Sequence, residues 1–222
     1  MTRTELARTI EHTLLKAEAT TAQIDRLCDD AREYGFVAVC VNPVHVQRAA
    51  LRLVGSSVRV ASVVGFPLGA GCSAIKAAEA RRALDDGAVE IDMVAQLGAL
   101  LEDDRRFVAD DIRQVAAAVH AAGGERLLKV ILETAALPRE QIILGCRCAA
   151  EGEADFVKTS TGFHPAGGAT VEAVRLLHQH AAPIKVKASG GIRDWSTARA
   201  LLAAGATRLG TSAGVAILKE CP

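Results

Sequence analysis

Apolar residues along the chain fall into two alternating kinds of run. Short stretches rich in β-branched residues predict strands at Ile10–Leu15, Phe36–Val41, Val58–Val64, Val89–Val94, Leu127–Leu132, Asp155–Thr159, Ile184–Ala188 and Thr207–Thr211. Between them, apolar residues recur every three or four positions over Thr21–Tyr34, Ser73–Asp86, Asp104–Ala122, Arg139–Glu151, Val171–His180 and Asp194–Ala204. That spacing puts them on one face of a helix. Gly35, Gly87 and Gly205 each stand just ahead of a strand, where a left-handed cap commonly ends a helix. Strands and helices in strict alternation imply a parallel sheet with crossover helices. Units repeating every ~25–30 residues fit a closed barrel, whereas a flavodoxin-like open sheet needs only about five strands. No linker or compositional break divides the chain. The expectation is α/β: one domain over residues 1–222, a single (β/α)8 TIM barrel.

Composition sharpens this picture in three ways. Half the residues are hydrophobic but only 3% are aromatic, so Ala, Val, Leu and Ile must fill the core, as suits packed parallel strands under alanine-rich helices. The 26 basic and 26 acidic residues cancel, which gives no electrostatic reason to expect nucleic acid or an anionic membrane as partner. The cysteines (Cys28, Cys40, Cys72, Cys146, Cys148 and Cys221) form no CxxC pair and read as reduced core residues. The first twenty residues carry acidic side chains and no continuous apolar stretch, unlike a signal peptide, and no run approaches a membrane span. A cytoplasmic protein is expected.

Chemistry in such a barrel belongs at the C-terminal ends of the strands. Charged residues interrupt three apolar runs there: Asp92 in the fourth strand, Lys158 in the sixth and Lys187 in the seventh. Ionised side chains are rarely buried unless paired, and alternation along a strand lets all three point into the barrel mouth. Two neighbouring lysines disfavour each other's protonation, and desolvation acts in the same direction. A neutral lysine attacks carbonyls to form imines, while the carboxylate and second lysine move protons. Schiff-base chemistry on a small aldehyde or ketone is the expectation. An ordinary ion pair is the competing reading for each residue alone.

Glycine-rich loops supply a second signal. Thr159-Ser160-Thr161-Gly162 follows the sixth strand, Ser189-Gly190-Gly191-Ile192-Arg193 the seventh, and Gly210-Thr211-Ser212 follows the eighth and opens a helix. Loops of this kind let backbone N–H groups approach an anion, and barrels often hold phosphate after strands seven and eight. Glu133-Thr134 and Lys129 read as supporting residues near the mouth. Lys185 shares a face with Lys187 but sits lower, where a polar pair is expected. Trp195 is expected to pack a helix start. The histidines show no metal spacing.

Taken in order, Glu11-His12-Thr13-Leu14-Leu15-Lys16, Val39-Cys40-Val41-Asn42-Pro43, Val64-Gly65-Phe66-Pro67-Leu68-Gly69, Glu90-Ile91-Asp92-Met93-Val94, Leu128-Lys129-Val130-Ile131-Leu132-Glu133-Thr134, Phe156-Val157-Lys158-Thr159-Ser160-Thr161-Gly162-Phe163 and Lys187-Ala188-Ser189-Gly190-Gly191-Ile192-Arg193 resemble the successive signatures of the deoxyribose-phosphate aldolase family. The resemblance runs nearly end to end. It implies a class I aldolase, independent of metals and cofactors, that splits 2-deoxy-D-ribose 5-phosphate into glyceraldehyde 3-phosphate and acetaldehyde in deoxyribonucleoside catabolism. By the same resemblance Lys158 is the Schiff-base lysine, and Asp92 and Lys187 are the proton-relay pair. Gly162, Gly190, Gly191, Arg193 and Ser212 fall in the phosphate loops, and Thr13 and Cys40 line the substrate cleft. Two positions depart from the family. Glu11 stands where Asp is common, which is expected to shift a hydrogen bond to a substrate hydroxyl. The chain closes on Lys219-Glu220-Cys221-Pro222 without the family's terminal tyrosine, so slower or differently assisted proton transfer is expected. An aldolase or transaldolase for another sugar phosphate, and a non-catalytic phosphate-binding barrel, are the alternatives. A homodimer is expected from the frequency of such assemblies.

Overall fold

The computed structural model describes residues 1–222. Eight parallel strands close into a barrel in sequence order: β1 Ile10–Leu14, β2 Ala38–Val41, β3 Arg59–Val64, β4 Glu90–Val94, β5 Leu127–Ile131, β6 Phe156–Lys158, β7 Lys185–Ser189 and β8 Arg208–Thr211. The helices are α1 Arg3–Ala7, α2 Thr21–Tyr34, α3 Val46–Arg52, α4 Ser73–Asp85, α5 Leu97–Leu101, α6 Arg105–Ala121, α7 Arg139–Glu151, α8 Val171–His180, α9 Trp195–Ala203 and α10 Gly214–Glu220. The closed α/β barrel expected from the alternating runs is the fold observed.

Except for β5, which begins at Leu127 as expected, strands β2 to β8 begin one or two residues later than the apolar runs suggest, because the first residues of those runs are bonded on one side only. Val37 N–H donates to Ile10 O at 3.1 Å and Val89 N–H to Val60 O at 2.8 Å, just ahead of the paired segments. The main helices match the periodic segments closely. Thr20 and Asp194 cap α2 and α9 through side-chain oxygens that accept N–H bonds three residues on. Gly35 ends α2 at φ +68°, the left-handed region that a side chain resists. Four short helices (α1, α3, α5 and α10) lie outside the periodic segments. At five to seven residues they are too short for a 3.6-residue period to repeat clearly. Gly210 and Thr211 belong to β8 rather than to a loop, and only Ser212 and Ala213 separate that strand from α10.

Two apolar regions hold the barrel together. The larger lies between the sheet and its helices and includes Ile24, Ile91, Ile112, Leu128, Val157 and Leu177. Inside the barrel the apolar cluster is small: Leu15, Cys40, Ala61 and Val63, with Phe66 packed against them. Barrel interiors are usually filled by branched apolar side chains. Here charged side chains share that interior, and their burial needs an explanation in pairing.

Candidate active site

The inward-facing positions follow from strand alternation and register. Lys158 pairs with Lys187 across β6 and β7, Asp92 with Lys129 across β4 and β5, and Lys187 with Arg208 across β7 and β8. On β1, Glu11 and Thr13 share the inner face, opposite Ala38 and Cys40. Alternation therefore sends the side chains of Glu11, Glu90, Asp92, Lys129, Lys158, Lys187 and Arg208 into one interior.

Asp92 is the hub. Its Oδ2 accepts from Lys158 Nζ at 2.8 Å and Lys187 Nζ at 2.7 Å, and its Oδ1 accepts from Lys129 Nζ at 2.9 Å. Lys187 also donates to Glu11 Oε2. Lys129 reaches Glu90 at 2.6 Å and Glu11 at 3.4 Å, and Arg208 stands 3.5 Å from both Glu11 and Glu90. Glu11, Glu90, Asp92, Lys129 and Lys187 have no solvent exposure, and Lys158 has 2%. Burial opposes the Asp92 charge, but Lys129, Lys158 and Lys187 overcome it and hold the carboxyl well below its usual range. Glu90 is likewise lowered, burial being outweighed by Lys129 and Arg208. Lys129 and Lys187 move the other way. Burial disfavours their charge, yet Asp92 and Glu11 raise both above the ordinary lysine value.

This corrects the expectation that neighbouring lysines depress each other. Two carboxylates grip Lys187, and their attraction exceeds both lysine repulsion and desolvation. The sequence-based cluster of one carboxylate and two lysines is also too small. Lys129 sits at its centre rather than in support. Glu11, Glu90 and Arg208 join it, each detectable as one member of an i, i+2 pair on an inner strand face: Glu11/Thr13, Glu90/Asp92 and Arg208/Gly210. Glu11 faces Lys187 and Lys129, so the expected link between it and a substrate hydroxyl is replaced by ion pairing. Lys185 makes no polar pair. It is exposed at the opposite end of the barrel, with its Nζ 5.8 Å from the centre of the Phe156 ring.

Above the cluster a cavity of about 400 Å³ opens at the C-terminal ends of the strands. Thr13, Lys158, Gly162, Gly190, Gly191, Arg193 and Ser212 all line it. Asp92, Lys187 and Cys40 do not; they lie buried beneath its floor. Burial, reinforced by Asp92, pushes the Cys40 thiol up to about 11, so it is a packing group there and not a thiolate. Lys16 lines the cavity too, unremarked in the sequence reading except within a motif. Neither Lys16 nor Arg193 has a side-chain hydrogen bond or ion pair, which leaves two free cations at the rim. The loops close tightly around it. A Cβ at Gly168 would stand 2.3 Å from Gly190 O, and one at Gly210 would stand 3.1 Å from Lys187 Cε. Two further concavities of comparable size lie at the other end of the strands and do not reach Lys158. Chemistry, not volume, singles out the cavity at the C-terminal ends.

A closed parallel barrel whose C-terminal cavity has a buried amine in its floor, an ionised carboxylate beneath it and free cations at its rim defines a (β/α)8 enzyme acting on a small anionic molecule. A family model described as DeoC/LacD family aldolase matches residues 7–220. A deoxyribose-phosphate aldolase of Brevibacillus brevis is 52% identical over 210 residues, covering 94% of this chain and 93% of that protein. One from Thermococcus kodakarensis is 50% identical over 225 residues, covering 100% and 99%. The tetrameric deoxyribose phosphate aldolase structure from Aeropyrum pernix superposes with a TM-score of 0.91 at 32% identity, covering 98% of this chain and 91% of that one. The chain belongs to the DeoC/LacD aldolase family.

Proposed function

We propose that the protein cleaves 2-deoxy-D-ribose 5-phosphate reversibly to D-glyceraldehyde 3-phosphate and acetaldehyde through an imine on Lys158. One observation carries this reading: of the three interior lysines, Lys158 alone lines the cavity, with its Nζ 2.8 Å from Asp92. The names of its relatives supply the substrate.

The chemistry follows from the geometry. The Lys158 amine attacks the C1 aldehyde of the open-chain sugar and, once water is lost, forms an iminium. A base takes the C3 hydroxyl proton, the C2–C3 bond breaks, and its electron pair enters the iminium to give an enamine. Glyceraldehyde 3-phosphate departs. Protonation of the enamine at C2 and addition of water release acetaldehyde and restore the amine. Asp92, held ionised, accepts from both Lys158 and Lys187 on one oxygen, and Lys187 is held protonated, so the pair supplies an acceptor and a donor for the proton transfers. Gly162, Gly190, Gly191 and Ser212, with Arg193, hold the 5-phosphate at the rim, and Thr13 lines the path to the imine. Cys40 packs beneath that path.

We further propose that the chain works as a single-domain cytoplasmic enzyme and self-associates, as a dimer by general frequency. No helix is long and apolar enough to cross a membrane, and all six cysteines are free. The Aeropyrum pernix tetramer supports self-association.

The test is borohydride reduction in the presence of acetaldehyde, followed by peptide mass mapping of wild type and Lys158→Ala. A reduced two-carbon adduct on Lys158, absent from the variant, is expected. An adduct on another lysine, or none on folded protein, overturns the assignment. Comparing cleavage of 2-deoxyribose 5-phosphate with other sugar phosphates tests the substrate.

A further inference from the structure

We infer that Glu133 is a positioning residue for phosphate recognition: its buried carboxylate engages the Thr161 amide, the Thr161 hydroxyl engages that of Phe163, and the loop so fixed turns the unbonded Gly162 amide toward the 5-phosphate. The inference rests on the phosphate assignment proposed above.

The backbone comes first. Glu133 follows β5 and adopts φ +51°, ψ +56°, the left-handed region, which glutamate rarely occupies. Asp103 and Glu153 also have positive φ, but both are exposed at turns, whereas Glu133 is 1% exposed. The residues on either side are tied to the strand that carries Lys158. Leu132 N–H donates to Lys158 O at 3.0 Å, and Thr134 N–H to Thr159 O at 2.8 Å. Between these bonds the left-handed kink turns the Glu133 side chain toward the loop after β6. A disfavoured conformation held between two backbone bonds beside an active site is where positioning roles are found.

The side chain shows what that conformation secures. Both carboxylate oxygens accept the Thr161 N–H, at 3.2 and 3.3 Å, and Oε2 also accepts the Thr161 hydroxyl. The Thr161 hydroxyl oxygen in turn accepts the Phe163 N–H at 3.0 Å. No cation approaches the carboxylate, so this is not an ion pair left over from folding. A buried carboxylate whose donors all come from Thr161 is costly as packing, but it is an effective clamp on that residue. Thr161, Gly162 and Phe163 all line the cavity, and Gly162 lies against Gly190. Glu133 itself does not line it, so it acts through the loop and does not touch the substrate.

The substitutions that isolate this role are Glu133→Gln and Glu133→Gly. An amide replaces one of the two acceptor oxygens with an NH2 donor that opposes the Thr161 N–H, so the two-oxygen grip on that N–H is lost. Glycine removes the clamp but accepts the left-handed backbone freely, which guards against a folding defect. Cleavage of 2-deoxyribose 5-phosphate and of unphosphorylated 2-deoxyribose is measured in wild type and both variants, with acetaldehyde trapping on Lys158 alongside. The expected result is a fall of about tenfold to a hundredfold in the ratio of kcat/KM for the phosphorylated over the free sugar, carried by KM. Inhibition by inorganic phosphate weakens by a similar factor while trapping is retained. Parallel losses on both sugars together with slower trapping would mean that Glu133 serves Lys158 or the fold, and would overturn the inference. An unchanged ratio in both variants would also overturn it. Failure of wild type to trap acetaldehyde or to prefer the phosphorylated sugar sinks the functional proposal itself, and is read before either variant.

Discussion

Glu11→Gln tests whether the barrel interior is held together by the pairing described. Glu11 has no exposure, and its carboxylate contacts Lys187, with Lys129 at 3.4 Å and Arg208 at 3.5 Å. Neutralising it leaves Glu90 and Asp92 among Lys129, Lys158, Lys187 and Arg208. At 3.4 Å and an effective dielectric of ~20, each full contact amounts to about 5 kcal/mol before desolvation is counted. Relief from burying Glu11 offsets much of that, so the net cost is about 3–5 kcal/mol, as for removal of one partner from a buried pair. For a chain of this length the melting temperature drops by about 10 °C. The pH dependence has a definite sign. The folded-state value of Lys187 is raised, so its stabilisation is complete below the ordinary lysine value of 10.5 and is lost as pH climbs through the folded value. Lys129 is raised for the same reason and behaves alike. The gap between wild type and variant is therefore flat through neutrality and narrows only above 10.5. Thermal melts followed by circular dichroism, from about pH 7 to pH 11, read both quantities. Asp29→Asn is the control: it breaks a 2.7 Å pair with Arg52 that is half exposed on both sides, where water screens the charges and little stability depends on them. A Glu11→Gln melt that tracks the control, or a gap that persists unchanged at alkaline pH, refutes the account of the interior.

Two further outcomes concern the cavity. Lys16→Ala and Arg193→Ala each remove a rim cation with no protein partner, and a lost charged hydrogen bond of about 1.5–3 kcal/mol corresponds to a KM roughly ten to a hundred times higher for 2-deoxyribose 5-phosphate. Steady-state kinetics with unphosphorylated 2-deoxyribose, where KM is expected to hold, separates charge recognition from damage, and an equal rise on both sugars contradicts it. Gly210→Ala places a methyl 3.1 Å from Lys187 Cε and 3.1 Å from Ser189 Cβ. Displacing Lys187 from Asp92 is expected to lower kcat about tenfold at little cost in KM. Wild-type kcat in a variant of ordinary stability would show that Lys187 has room to spare.

The sequence disclosed the barrel because its two periodicities are long-range and redundant. Each of eight runs carries its own strand signal, and misplacing one boundary does not disturb the others. Asp92, Lys158 and Lys187 were legible for a different reason: each breaks an apolar run at a predicted strand end. Glu11 and Arg208 stand near strand starts, where a charge looks like ordinary solvated punctuation. Only closure of the barrel brings β1 and β8 together and turns Glu11 and Arg208 inward beside one another. Lys185 fails in the opposite sense. Alternation places it on the same face as Lys187, but it sits beyond the closed end of the barrel and meets solvent and Phe156 instead of a carboxylate. Glu133 was visible as a charge after a strand. Its left-handed backbone and its bond to Thr161 were not, since both depend on two loops meeting.

The same topology decides which interior lysine reaches the cavity. Lys129 lies in the middle of β5, and Ile131 stands above it on the same face. Lys187 is level with Lys158 across the β6–β7 ladder, but β7 runs on to Ser189, which lines the cavity in its place. Strand β6 has only three residues and ends at Lys158, so no further strand residue covers its amine. Contacts with carboxylates follow the same order: Lys129 touches Glu11, Glu90 and Asp92, Lys187 touches Glu11 and Asp92, and Lys158 touches Asp92 alone. Three chemically identical side chains thus receive different positions from where their strands stop. Beneath the cavity floor Glu11, Glu90 and Asp92 face Lys129, Lys187 and Arg208, three charges of each sign, a balance that a low-dielectric interior tolerates better than a surplus of either.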